Sequence, residues 1–121
     1  MAQVIAERKD IDFVLHDQLN VESLTKHPQF AEFNRKTITE ARNLAIKEIL
    51  PTQKDGDEIG CHLENGKVTT QDSFKRAWEL FKEGEWVATH VSPEWGGQGM
   101  PHLVAMAAGD YFSGANFAFM M

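Results

Sequence analysis

The sequence predicts an all-α protein, an antiparallel helical bundle of about four to five helices with a short hairpin-like loop. Three observations predict it. Residues 34–50 and 70–83 carry apolar side chains at helical spacing. Residues 101–112 open on a proline and present a third, broader apolar face. Strand-pairing chemistry occurs at one place only, Asn65-Gly66, and it is too short to build a sheet.

The chain divides into an N-terminal extension, 1–28, with one short helix, and a helical domain, 29–121. In the extension, Ile11, Val14, Leu15 and Leu19 share one helical face between Asp10 and Leu19, and Asp10 and Asp12 suit its N-terminal dipole. A polar connection, 20–28, follows, with Leu24 as its expected anchor. From Asn34 to Leu50, Ile38, Ala41, Ala45 and Ile49 line one face of a long helix, which Pro51 is expected to stop at Leu50. Residues 52–60 read as a charged loop. Asn65-Gly66 is a hairpin signal, since a type I′ turn needs positive φ at both central residues, and a small hairpin or an extended loop is expected there.

Thr70 suits an N-cap, and Phe74, Ala77, Trp78 and Phe81 follow at i, i+3, i+4 and i+7 to about Glu83. Gly84 is the expected C′ stop, with Trp86 and Val87 folding back on the last turn. Ser92 to Pro101 holds three of the nine glycines and two of the four prolines, so it is a tight turn and neither helix nor strand. Trp95 in that turn is expected to bury against something. Pro101 suits the first position of the next helix, whose face is Leu103, Val104, Ala107, Ala108, Tyr111 and Phe112. Ser113-Gly114 breaks the pattern, and a last helix starts near Ala115. The other tryptophans and most of the eight phenylalanines read as core.

At 121 residues the chain makes one domain, and 42% hydrophobic residues exclude a disordered composition. A net charge of −6 argues against a nucleic-acid partner and against an anionic membrane surface. No apolar run approaches the ~18 residues of a membrane span, and residues 1–12 have no signal-peptide core. A single cysteine excludes an internal disulfide and fits a cytoplasmic, reducing setting.

Five histidines and Cys61 show no metal-ligand spacing such as CxxC or HxxxH, so no metal is expected. Cys61 as a nucleophile needs an activating base, and adjacency to His62 does not supply one; it reads as a structural, at least half-buried cysteine. Gly96-Gly97-Gln98-Gly99 lacks both the preceding strand of a dinucleotide fold and the Lys-Ser/Thr of a P-loop. No residue is assigned as catalytic.

Pro93-Glu94-Trp95-Gly96-Gly97-Gln98-Gly99, followed by a small-residue helix, resembles the Pro-Glu-aromatic-Gly-Gly-x-Gly turn of acyl-CoA dehydrogenases. The segments 60–70, 97–102 and 113–119 are similar to the branch of large enzymes like 3-methylmercaptopropionyl-CoA dehydrogenase, and the resemblance covers essentially the whole chain. It implies the N-terminal helical domain of an enzyme that binds FAD and oxidises the Cα–Cβ bond of an acyl-CoA thioester. In that family a glutamate removes the α-proton and the flavin accepts the β-hydride. It implies as partners a β domain and a second helical domain, acyl-CoA, electron-transferring flavoprotein and a homo-oligomer. The catalytic glutamate and most flavin contacts belong to later parts of the fold. Here the resemblance assigns only substrate contact, at Asn116, Met120 and Met121, and the isolated chain is expected to be inert and to bind no FAD.

The end of the sequence, Asn116 to Met121, is an apolar run without a helix stop. It reads as a chain cut inside an element, so that Phe117, Phe119, Met120 and Met121 would face a further domain or a ligand cavity. Three alternatives stand beside it: a final helix docked on the core, a stand-alone helical interaction module that binds through this face, and a self-associating fragment that hides the face in a dimer.

Overall fold

A computed structural model describes residues 5–23 and 30–121. Among these residues the fold is an all-α bundle with one two-stranded sheet. Helix α1, Arg8–Asp12, continues through wider π-helical turns over Phe13–Gln18. Of its expected apolar face only Leu15 is buried; Val14 and Leu19 are exposed. Buried Ala6, Leu15 and Val21 join the core of the bundle, and Arg42 Nε donates to the Ala6 carbonyl at 2.7 Å. Arg8 adds bonds to Asp12 and to Thr39 Oγ1. The predicted anchor Leu24 lies outside the described residues.

Helix α2, Phe30–Leu44, runs on as a π-helical stretch, Ala45–Ile49, and a 3-10 turn, Leu50–Thr52, into α3, Gln53–Glu58. Ile38, Ala41, Ala45 and Ile49 are completely buried, as their spacing predicts. Each isoleucine contributes roughly 1.5–3 kcal/mol by burial. Pro51, however, does not end the helical path, and residues 53–58 are helix rather than loop. The path survives a missing amide because the turn first widens, with the Leu50 N–H reaching back to Ala45, and then tightens. The Thr52 hydroxyl donates to the Ile49 carbonyl at 2.7 Å, supplying a donor beside the proline.

Strands β1, His62–Glu64, and β2, Lys67–Thr69, pair antiparallel. Asn65 at φ 51° and Gly66 at φ 75° give the predicted type I′ turn. Cys61 is exposed, not half-buried. Helix α4, Ser73–Glu83, buries Phe74, Ala77 and Phe81, while Trp78 is 44% exposed. Its N-cap position is Asp72, two residues past Thr70. At its C-terminus Glu85, not Gly84, takes the left-handed conformation. Gly84 is needed for space instead, since a Cβ there would overlap the Trp86 indole as it folds back.

The glycine turn reverses the chain onto residues 88–91. The amides of Gln98, Gly99 and Met100 donate to the carbonyls of Ala88, Val91 and Thr89 at 2.8–3.1 Å. Gly97 lies so close to Val91 that a Cβ would enter its backbone. The Gln98 amide reaches the carbonyls of Gly84 and Glu85. Trp95 is 82% exposed, against expectation, because the turn closes through backbone bonds and needs no aromatic anchor. Helix α5, His102–Ala115, packs on α2 and buries Val104, Ala107, Ala108, Tyr111 and Phe112. Pro101 stands at its N-cap position rather than the first helical one, and the helix passes through Ser113-Gly114 to break at Asn116. A short helix α6, Phe117–Met120, follows.

Candidate functional site at the start of the last helix

Asn116 leaves the helical conformation with an extended backbone and is 1% exposed. Its Oδ1 accepts from the Phe119 N–H at 3.1 Å, which caps α6. Its Nδ2 donates to Thr52 Oγ1 at 2.9 Å, in the interior. Because the Thr52 hydroxyl proton goes to Ile49, its oxygen is left to accept, and this fixes the Asn116 amide orientation. Gly56 makes room for the arrangement: a Cβ there would stand 3.1 Å from the Phe74 ring and 3.4 Å from both Ala118 and the Asn116 amide.

The three residues assigned by resemblance therefore differ in setting. Asn116 lines a hollow of about 560 Å³ with Gln53, Asp57 and Phe117, yet its amide is already engaged on both sides. Met120 is partly buried against the core and lines a cavity of about 170 Å³ with Phe81, Trp86, Ala108 and Phe112. His90 and His102 stand at this cavity with ring centroids 4.7 Å apart. Met121 is 88% exposed, beside an apolar surface that includes Phe117. Met120 lies in α6, Asn116 caps its start and Met121 its end, but Asn116 and Met120 address different hollows.

The floor under α6 is aromatic. Phe119 meets Phe74 at 5.4 Å and Phe81 at 5.8 Å, both edge to face, and Phe81 meets Phe112 at 5.1 Å. Such pairs contribute about 0.5–1.5 kcal/mol each beyond burial. Phe119, Phe74 and Trp78 also line a third hollow, about 270 Å³.

Charge near the site lies on the surface. The Arg76 hydrogen bond to Glu48, 2.9 Å, holds the Glu48 carboxyl below its ordinary range and raises the guanidinium. The Lys75 bond lowers Asp72 in the same way. On α5, burial pushes the Tyr111 phenol up, and its hydroxyl has no hydrogen-bond partner among the described residues.

Among the described residues no three His, Cys, Asp or Glu side chains gather as a metal site. The glycine turn does not fit a flavin pyrophosphate. Its amides from Gly96 to Met100 all donate to carbonyls of residues 88–93 and leave no cradle for an anion. No helix among the described residues is long and apolar enough to cross a membrane.

Sequence reasoning missed Thr52 and Gly56, which it placed in a loop. No local signal marks Thr52, because its partner lies 64 residues away.

No family model matches the chain. Over 85 residues it is 31% identical to a 3-methylmercaptopropionyl-CoA dehydrogenase of Ruegeria pomeroyi. The match takes in 70% of this chain and spans 14% of the length of that relative.

Proposed function

We propose that residues 29–121 act as the N-terminal helical domain of an FAD-dependent acyl-CoA dehydrogenase, with residues 1–28 as an N-terminal extension. The observation that carries this reading is the 31% identity over 85 residues to a dehydrogenase of that kind. The domain walls part of the acyl pocket and packs against a β domain and a C-terminal helical domain. FAD, held by those later domains, would supply the acceptor for the hydride leaving the β-carbon. What this chain supplies is apolar surface: Met120 over the cavity of about 170 Å³, Met121 and Phe117 toward the neighbouring domains, and Asn116 as the residue that sets their angle. Electron-transferring flavoprotein, a homo-oligomeric assembly and a cytoplasmic setting belong to the same reading. The isolated chain has no hydride acceptor and is inert.

The test is the protein as its native cell makes it. We expect these residues within a polypeptide several times 13.7 kDa that shows flavin absorbance and oxidises an acyl-CoA thioester. We also expect the 121-residue chain, given FAD and acyl-CoA, to turn nothing over. A native mass of 13.7 kDa without flavin overturns the proposal. It would favour the second reading, a stand-alone helical interaction module, for which the exposed Trp78, Phe117 and Met121 speak.

A further inference from the structure

The β1–β2 hairpin is an anomaly in the fold. Two strands of three residues do not hold themselves together in water, yet every side chain from Cys61 to Thr70 is exposed. Leu63 and Val68, 74% and 61% exposed, stand directly opposite each other on one face. In a two-residue hairpin the pair beside the turn, here Glu64 and Lys67, exchanges both ladder hydrogen bonds. The next pair, Leu63 and Val68, therefore turns its N–H and C=O outward, to the two free edges.

We propose that the free edge of β1 pairs antiparallel with β1 of a second copy of this chain, about a two-fold axis at Leu63. Three features select this edge and this partner. The outward N–H and C=O of Leu63 meet those of the second copy's Leu63, giving two ladder bonds. The side chains then fall in complementary order, with His62 opposite the second copy's Glu64 and Glu64 opposite the second copy's His62. A neutral or charged imidazole donates to the carboxylate, so both pairs are favourable. On the other face the two Leu63 and two Val68 side chains become one apolar strip across four strands. The β2 edge offers no such match, because a two-fold at Val68 sets Lys67 against Thr69. The inference stands whether or not the chain belongs to a dehydrogenase.

An interface this small is weak, so sedimentation of the full 121-residue chain should extend to about 1 mM. We expect concentration-dependent dimer. Leu63→Pro, which removes the outward amide of an exposed strand, should weaken it at least tenfold. His62→Glu should weaken it too, and adding Glu64→His to that variant should restore it. Antiparallel neighbours stand about 5.5 Å apart at Cα, within disulfide range. Under mild oxidation Leu63→Cys in a Cys61→Ser background should thus crosslink into dimer, and Val68→Cys in the same background should not. A chain that stays monomeric to about 1 mM overturns the proposal. So does a dimer that survives Leu63→Pro, or equal crosslinking at 63 and 68. Every side chain of the hairpin is exposed, so circular dichroism of each variant should keep the helical signal of the parent.

Discussion

Asn116 is a buried polar residue whose amide is paired at both ends, to Thr52 and to the Phe119 N–H. Removing it leaves a helix end uncapped and a buried hydroxyl oxygen without its donor. We expect Asn116→Ala to cost about 1–3 kcal/mol in urea unfolding. Thr52→Val should cost a similar amount, and the double variant less than the sum, since both changes delete one shared bond. Additive losses would mean that the two side chains are not coupled. In the proposed enzyme the same substitution should raise KM by releasing α6, without removing a reacting group.

At the scale of elements, the glycine turn shows how a motif can be legible while its mechanics are not. Its composition announces a tight reversal, and the structure has one. Trp95 draws attention in the sequence as an anchor, yet it stands in solvent, and the small residue Gly97 sets the close approach to Val91. We expect Gly97→Ala to cost on the order of 1–3 kcal/mol, because backbone bonds on both sides prevent retreat. Trp95→Ser should stay within about 0.5 kcal/mol. Thermal unfolding of the two variants checks the contrast, and the reverse order would assign the anchor to the indole. The same division runs through the bundle. The i, i+3, i+4 faces of α2 and α4 state their burial openly, since each buried stripe is a local property of spacing. Pro51 misleads because a π turn and a 3-10 turn, with the Thr52 hydroxyl bonded to the Ile49 carbonyl, carry the chain past its missing amide, and no spacing rule announces them. The candidate site is the least legible part: Met120 is visible as an apolar residue, but the cavity below it is made by Phe81, Trp86 and Phe112, from three separate stretches.

For the whole molecule, pH dependence follows from carboxylates on its surface. Glu48, bonded to Arg76, and Asp72, bonded to Lys75, have lower pKa values folded than their ordinary 4.5 and 3.8. Glu22 is lowered first by a backbone hydrogen bond and also by His16. Each prefers to be ionised in the folded chain. The stability they confer is present above those ordinary values and is lost as pH falls through the folded ones. We expect Tm to hold from about pH 7 to 5 as far as these groups are concerned, and to fall below about 4.5. Arg76→Ala should flatten the part of that fall owed to Glu48, and an unchanged acid limb would remove Glu48 as its source.

The bond between Thr52 and Asn116 also orders events in time. It closes a loop of 64 residues, and contacts so distant along a chain form late. While the protein is being synthesised, Thr52 emerges long before Asn116 does, and a nascent chain translated only as far as the glycine turn has nothing to offer it. Until then the turn into α3 lacks the Asn116 bond, and α3 lacks α6 packed against it. A ribosome stalled before residue 116 should therefore expose a chain whose middle is still open to proteases, and one stalled well beyond it should not.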